Sequence, residues 1–206
     1  MTAHFRSHAD NRADHPGGFT LLELMLVLAL LAVVASIVVP NLMASVQDSQ
    51  VQQAAETVRE TLADARTYAI DTGIDYQFRY EVNGPAFVVL PTEVEPATSN
   101  STMADQNTSE YVRVSGELPD GMSLRSLPGQ PTATESLQPE WFAGLPEGGG
   151  LSGKSWSSPI YFRFDGSADD AQFRVVDEAG RTAELTVRGL TGSVRLSPVF
   201  VPEDQQ

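Results

Sequence analysis

GGFTLLELMLVLALLAVVASIVVP, residues 17–40, carries a single ionisable group, Glu23. Between Phe19 and Val39 about 21 residues are otherwise apolar or weakly polar; at roughly 1.5 Å per residue a helix of that length reaches about 30 Å, the thickness of a bilayer's hydrocarbon core. The run therefore predicts a membrane-spanning helix over 19–39. A carboxylate near one end of such a span is costly unless it meets a partner. An α-amino group would supply one, and it would exist there only if the chain were cut just before Phe19.

Other readings of the run fit less well. A secretory signal peptide would have a shorter apolar core and a small-residue cleavage site after it, not a glycine before it. A plain signal anchor has no need of Glu23. The preceding segment balances Arg6 and Arg12 against Asp10 and Asp14. It gives only weak support for a cytoplasmic N-terminus by the positive-inside rule.

Gly18-Phe19-Thr20-Leu21-Leu22-Glu23 resembles the prepilin processing site of type IV pilins and type II secretion pseudopilins. The resemblance implies that a membrane peptidase cuts after Gly18 and methylates the new terminal Phe19. Glu23 would then be the fifth mature residue. In the family it is thought to meet the N-terminal amine of a neighbouring subunit during assembly. Pro40 would fall at the twenty-second mature position, where many members also have proline. As an imino acid inside a helix it lacks one backbone donor and would kink the rod. From the residues alone, pairing of Glu23 between subunits or within one stays open.

Composition narrows the chemistry. The chain has 206 residues, no cysteine and a net charge of −14. Its histidines, His4, His8 and His15, all precede Phe19. A chain cut after Gly18 would thus lack both His and Cys, which removes Ser-His-Asp triads, Cys-His pairs and most zinc sites. The acidic balance disfavours nucleic acid, which needs Lys and Arg against phosphates.

Beyond the apolar run the pattern changes twice. Val46, Val51, Ala54, Ala55, Val58, Leu62, Ala65 and Ala69 recur at three- and four-residue steps, predicting a continued amphipathic helix that Gly73 stops. Strands follow at 75–82 and 86–90 around Asn83-Gly84-Pro85, a hairpin signal. Weaker strand patterns lie at 111–114 and 122–127. Residues 159–165, 172–177, 183–188 and 193–197 read as four successive strands of an antiparallel meander. Residues 91–110 and 128–158 read as polar loops, the second pinned to the core by Trp141 and Phe142. The organisation expected is a leader over 1–18, an N-terminal helix over 19–72 and a β-rich domain over 73–206. The fold class is α+β: a pilin-like long helix, half transmembrane and half amphipathic, packed on an antiparallel sheet or sandwich.

The closing segment, PIYFRFDGSADDAQFRVVDEAGRTAELTVRGLTGSVRL, is similar to the last strands of the GspH/FimT group of minor pseudopilins and pilins. Asp165-Gly166 and Thr191-Gly192 occupy that group's turn positions. The resemblance implies assembly rather than catalysis: a minor pseudopilin of a type II secretion system, at or near the tip of its filament. It would be anchored in a bacterial inner membrane with its N-terminus cytoplasmic and its β-domain periplasmic. Expected partners are the prepilin peptidase, other pseudopilins, the inner-membrane assembly platform and secreted cargo. The alternative is a FimT-like minor pilin of a type IV pilus, serving DNA uptake.

Other motifs read as structure. Gly148-Gly149-Gly150-Leu151-Ser152-Gly153-Lys154-Ser155 matches the P-loop pattern, but a working P-loop follows a strand and opens a helix. Here loop-like sequence precedes it and Trp156-Ser157-Ser158-Pro159 follows, so it reads as a glycine-rich loop. Asp165-Gly166-Ser167-Ala168-Asp169-Asp170 lacks the EF-hand order and reads as a solvated turn. The sequons at Asn100 and Asn107 read as loop, and Arg188 and Arg195 as surface charge. No catalytic, cofactor or metal residue is assigned. A membrane-tethered hydrolase using two carboxylates would require a facing, buried pair in a cleft.

Overall fold

The computed structural model describes residues 20–92, 111–130, 133–142, 145 and 148–202, with residues 37–44 described as helix backbone only. Two compact units divide the chain, Met1–Ala44 and Ser45–Gln206. One helix, α1 (Leu21–Thr72), belongs to both and runs through Pro40. Thr20 caps it: the Thr20 Oγ1 accepts the Glu23 amide at 3.2 Å, and its carbonyl accepts the Leu24 amide. A hydroxyl three residues ahead of a glutamate is a capping-box arrangement, and it satisfies one of the helix's orphan donors. Gly73 ends the helix with φ 74°, its amide bonded to the Ala69 carbonyl, a conformation that a Cβ would disfavour.

Within the second unit, α1 buries Val51, Ala54, Ala55, Val58, Leu62, Ala65 and Ala69. This is the predicted stripe except for Val46, which is half exposed. Four alanines on that face let strands approach closely. The first sheet has the order β3 (Val114–Glu117), β2 (Ala86–Pro91), β1 (Tyr76–Tyr80), β7 (Ile160–Phe162). A second has the order β10 (Ser193–Leu196), β9 (Thr182–Arg188), β8 (Ala171–Asp177), β4 (Met122–Ser126). All their pairings are antiparallel. The fold is therefore α+β, a long N-terminal helix with antiparallel sheets.

Aromatic rings join the two sheets. Phe173 on β8 stacks on Phe78 and Tyr80 of β1, with ring centroids 5.8 and 5.0 Å apart. These rings share one apolar cluster with the α1 stripe, Phe87, Val89, Val175 and Leu185. Period-2 alternation sends Tyr76, Phe78 and Tyr80 inward, and it turns Gln77 and Arg79 to the outer face.

Three expectations need correction. The four-strand meander is divided: β7 pairs with β1 (Tyr76↔Phe162), while β8, β9 and β10 build the second sheet. The chain changes sheets at Asp165-Gly166, where Gly166 adopts φ 84°. The strand predicted at 111–114 begins where that range ends, at Val114. In addition, residues 128–158 do more than loop. A two-stranded ribbon, β5 (Thr134–Glu135) with β6 (Trp156–Ser157), and a short helix α2 (Gly148–Leu151) lie in this segment. Phe142, Leu145, Leu151 and Trp156 cover the outward side chains of β2, namely Ala86, Val88 and Leu90. Strand β2 is consequently buried along its whole length. Trp141 packs against the same cluster, as its sequence position implied.

Candidate functional site

Leu21 to Val34 present a series of large apolar side chains, all exposed; Leu21 is 79 % and Leu22 74 % open to solvent. Covering them would be worth on the order of 10–20 kcal/mol, from about 1–2 kcal/mol for each half-exposed Leu, Val or Met. An exposed apolar surface of this size marks an interaction site for another protein or a membrane. The polar groups in this stretch satisfy themselves locally. Ser36 donates its hydroxyl to the Val33 carbonyl at 2.7 Å. Glu23 differs: its carboxylate is exposed, and among the described residues it enters no ion pair.

Among the described residues no helix is long and apolar enough to cross a membrane. The span expected over 19–39 reaches past the described side chains and stays a proposal. They cover 20–36, shorter than the ~20 residues a bilayer requires, and the apolar run continues beyond them at both ends. Gly18 and Phe19 lie outside the described residues, as do Asn100 and Asn107. Pro40 lies inside α1, and the kink expected there remains a proposal.

Elsewhere the polar groups are engaged in holding the domain together. Lys154, the lysine of the P-loop pattern, donates to Glu81 at 2.8 Å, and Leu151 of the same pattern is buried. Gly148–Leu151 is a short helix where a glycine-rich loop was expected, and no strand leads into it among the described residues. In the acidic turn, Asp165 accepts from the Ser167 hydroxyl and amide, and these bonds hold its carboxyl below the usual value. Asp169 pairs with Arg163 at 2.7 Å, and Asp170 accepts the Gly189 amide. Asp169 and Asp170 line a cleft with Tyr80, Ser126 and Gln172, but the buried polar residues among those described are Gln77, Arg79, Ser157 and Thr182. The facing, buried carboxylates that a hydrolase would need are not found among them. Arg188 and Arg195 are exposed on β9 and β10.

Sequence reading missed two arginines. Arg66 lies off the buried stripe of α1, and its Nε donates to the Gly166 carbonyl at 2.9 Å. A Cβ on Gly192 would stand 2.7 Å from both Arg66 and that carbonyl. Arg66 therefore ties the two turns of the closing segment to the helix. Arg79, buried on the outer face of β1, donates to Gln77 at 2.8 Å and to Glu135 at 2.6 Å, and so fixes the β5–β6 ribbon. The available signal was the lone charge of Tyr76–Tyr80, on the strand face it shares with Gln77.

Residues 15–39 match the prokaryotic N-terminal methylation motif. Over 128 residues the chain is 25 % identical to the type IV wide pilus major component PilA4 of Thermus thermophilus, an alignment covering 60 % of this chain and 94 % of that protein. Two structures of the minor pseudopilin EpsH, from the type II secretion system of Vibrio cholerae, are similar at 14 % identity. Their TM-scores are 0.43 and 0.46, covering 72 % and 76 % of this chain and 97 % and 99 % of theirs.

Proposed function

We propose that this chain is a minor pseudopilin of a type II secretion system, working by assembly through its N-terminal helix. The observation that carries the reading is the exposed apolar surface of α1 from Leu21, with Glu23 in its first turn, inside a methylation motif. The precursor is held at the inner membrane until a peptidase cuts after Gly18 and methylates Phe19. The mature helix then rests in the bilayer with the β-domain in the periplasm. It leaves lipid by packing against helices of other subunits, which cover the same apolar area. Glu23, short of a cation in its own described chain, takes the terminal ammonium of a neighbour. Low dielectric strengthens that attraction and makes either charge alone expensive. Contact with the assembly platform and with cargo belongs to the same reading.

The test is Glu23→Ala in the full-length protein. The β-domain folds as before, while recovery of the protein in sheared filaments drops at least tenfold. Undiminished incorporation refutes the role of Glu23. Mass spectrometry of the protein from its own cells should give methylated Phe19 as the first residue; a retained Met1 overturns the reading altogether.

A second reading, a FimT-like minor pilin of a type IV pilus, draws support from the similarity to a pilus component. The protein would then bind DNA, with affinity falling as salt rises. On the first reading it binds none at either of two salt concentrations.

A further inference from the structure

Arg66 joins three segments that each carry an exposed apolar side chain. Ile70 lies one helical turn after it on α1 and is 45 % exposed. Phe164, 60 % exposed, lies two residues before Gly166, whose carbonyl Arg66 holds. Leu190, 92 % exposed, lies two residues before Gly192, which abuts Arg66. The two turns are joined directly, the Ala168 amide donating to the Gly189 carbonyl at 2.6 Å. A Cβ on Gly166 would touch Ile70 Cδ1 at 3.5 Å.

Packing within the chain does not explain these residues. Turns favour Gly, Asn, Asp and Ser, yet leucine occupies the turn between β9 and β10 almost fully in water. Aromatic and aliphatic side chains clustered in the open, with a polar rim, are what a protein-binding hot spot presents.

We propose that Ile70, Phe164 and Leu190 are a docking patch for a different polypeptide, whose contact segment offers an apolar side chain flanked by lysine or arginine. The rim argues for the charge. Five carboxylates lie in the segments that carry these side chains or bond to them: Asp71, Asp75, Asp165, Asp169 and Asp170. Against them stand Arg66, Arg163 and Arg188, and Arg163 is already taken by Asp169. A second copy would bring the same acidic surplus and another −14 of net charge, so self-association there is disfavoured. The patch lies within residues 45–206 and uses neither Glu23 nor the apolar run, so it can fail or hold independently of the assembly reading.

The experiment replaces Leu190 with p-benzoylphenylalanine in the full-length chain and irradiates intact cells. The expected adduct is to another polypeptide, and its cross-linked peptide contains an apolar residue beside Lys or Arg. Asp71→Lys, at an exposed position without a partner among the described residues, should cut that adduct at least threefold. Glu178→Lys, on a distant exposed turn, should leave it unchanged. An adduct to a second copy, to lipid or to a segment without cations overturns the proposal. So does an adduct indifferent to Asp71→Lys, or none at all while the same probe at Leu28 reacts.

Discussion

Phe173→Ala should be the most damaging single truncation in the β-domain. The ring is fully buried and stacks on both Phe78 and Tyr80, so it is the contact through which β8 grips β1. Removing a buried phenylalanine costs about 3–5 kcal/mol through lost transfer energy and the cavity left behind. The stacked geometry of the two ring pairs favours the upper half of that range. About 4 kcal/mol corresponds to a melting temperature lowered by roughly 8–16 °C for a domain of this size. Phe173→Leu keeps most of the volume and should lose less than about 1.5 kcal/mol. Urea titration of the full chain in non-ionic detergent, followed by the fluorescence of Trp141 and Trp156, measures both, with the slope unchanged. A loss below about 1 kcal/mol for Phe173→Ala would refute the claim that these rings hold the two sheets together.

Three further outcomes are expected. In the same titration Leu62→Ala should cost about 2–5 kcal/mol, while Val46→Ala on the same helix stays within about 0.5 kcal/mol, because only the first side chain is buried. Gly192→Ala should destabilise by about 1–3 kcal/mol, since φ is +59° and its Cβ would press on Arg66 and the Gly166 carbonyl. Burial raises the Tyr80 phenol above its ordinary 10.0, only partly offset by its bond to Ser126. Between the unfolded and the folded pKa the unfolded chain binds fewer protons, so stability is intact below about pH 10 and falls as pH rises beyond it. Absorbance at 295 nm should show Tyr80 ionising later than an exposed tyrosine, and Tyr80→Phe should remove part of the alkaline loss.

The elements legible in the sequence were those specified by local periodicity. The α1 stripe repeats at helical spacing, and seven of its eight predicted positions are buried. The hairpin around Asn83-Gly84 forms as its turn residues imply, with Asn83 at φ 61°. The exposed apolar run and Glu23 were readable for the same reason, since both depend on neighbours along the chain. Partner choice was not readable. Three residues of β7 carry no label saying which sheet they join, and its pairing with β1 spans more than eighty positions. The cover over β2 was hidden because its apolar anchors are spaced irregularly among glycines, prolines and serines. The role of Arg66 was not legible because its acceptor is a backbone carbonyl one hundred residues away, which no pattern of side chains can signal.

The stripe from Val51 to Ala69 also has a mechanical meaning. Those residues share one apolar cluster with side chains of both sheets, so this part of the helix is built into the core of the domain. Axial load on this part of the helix would pass directly into both sheets, with no slack to take up first. Parting this stretch of helix from the sheets therefore requires the core itself to come apart.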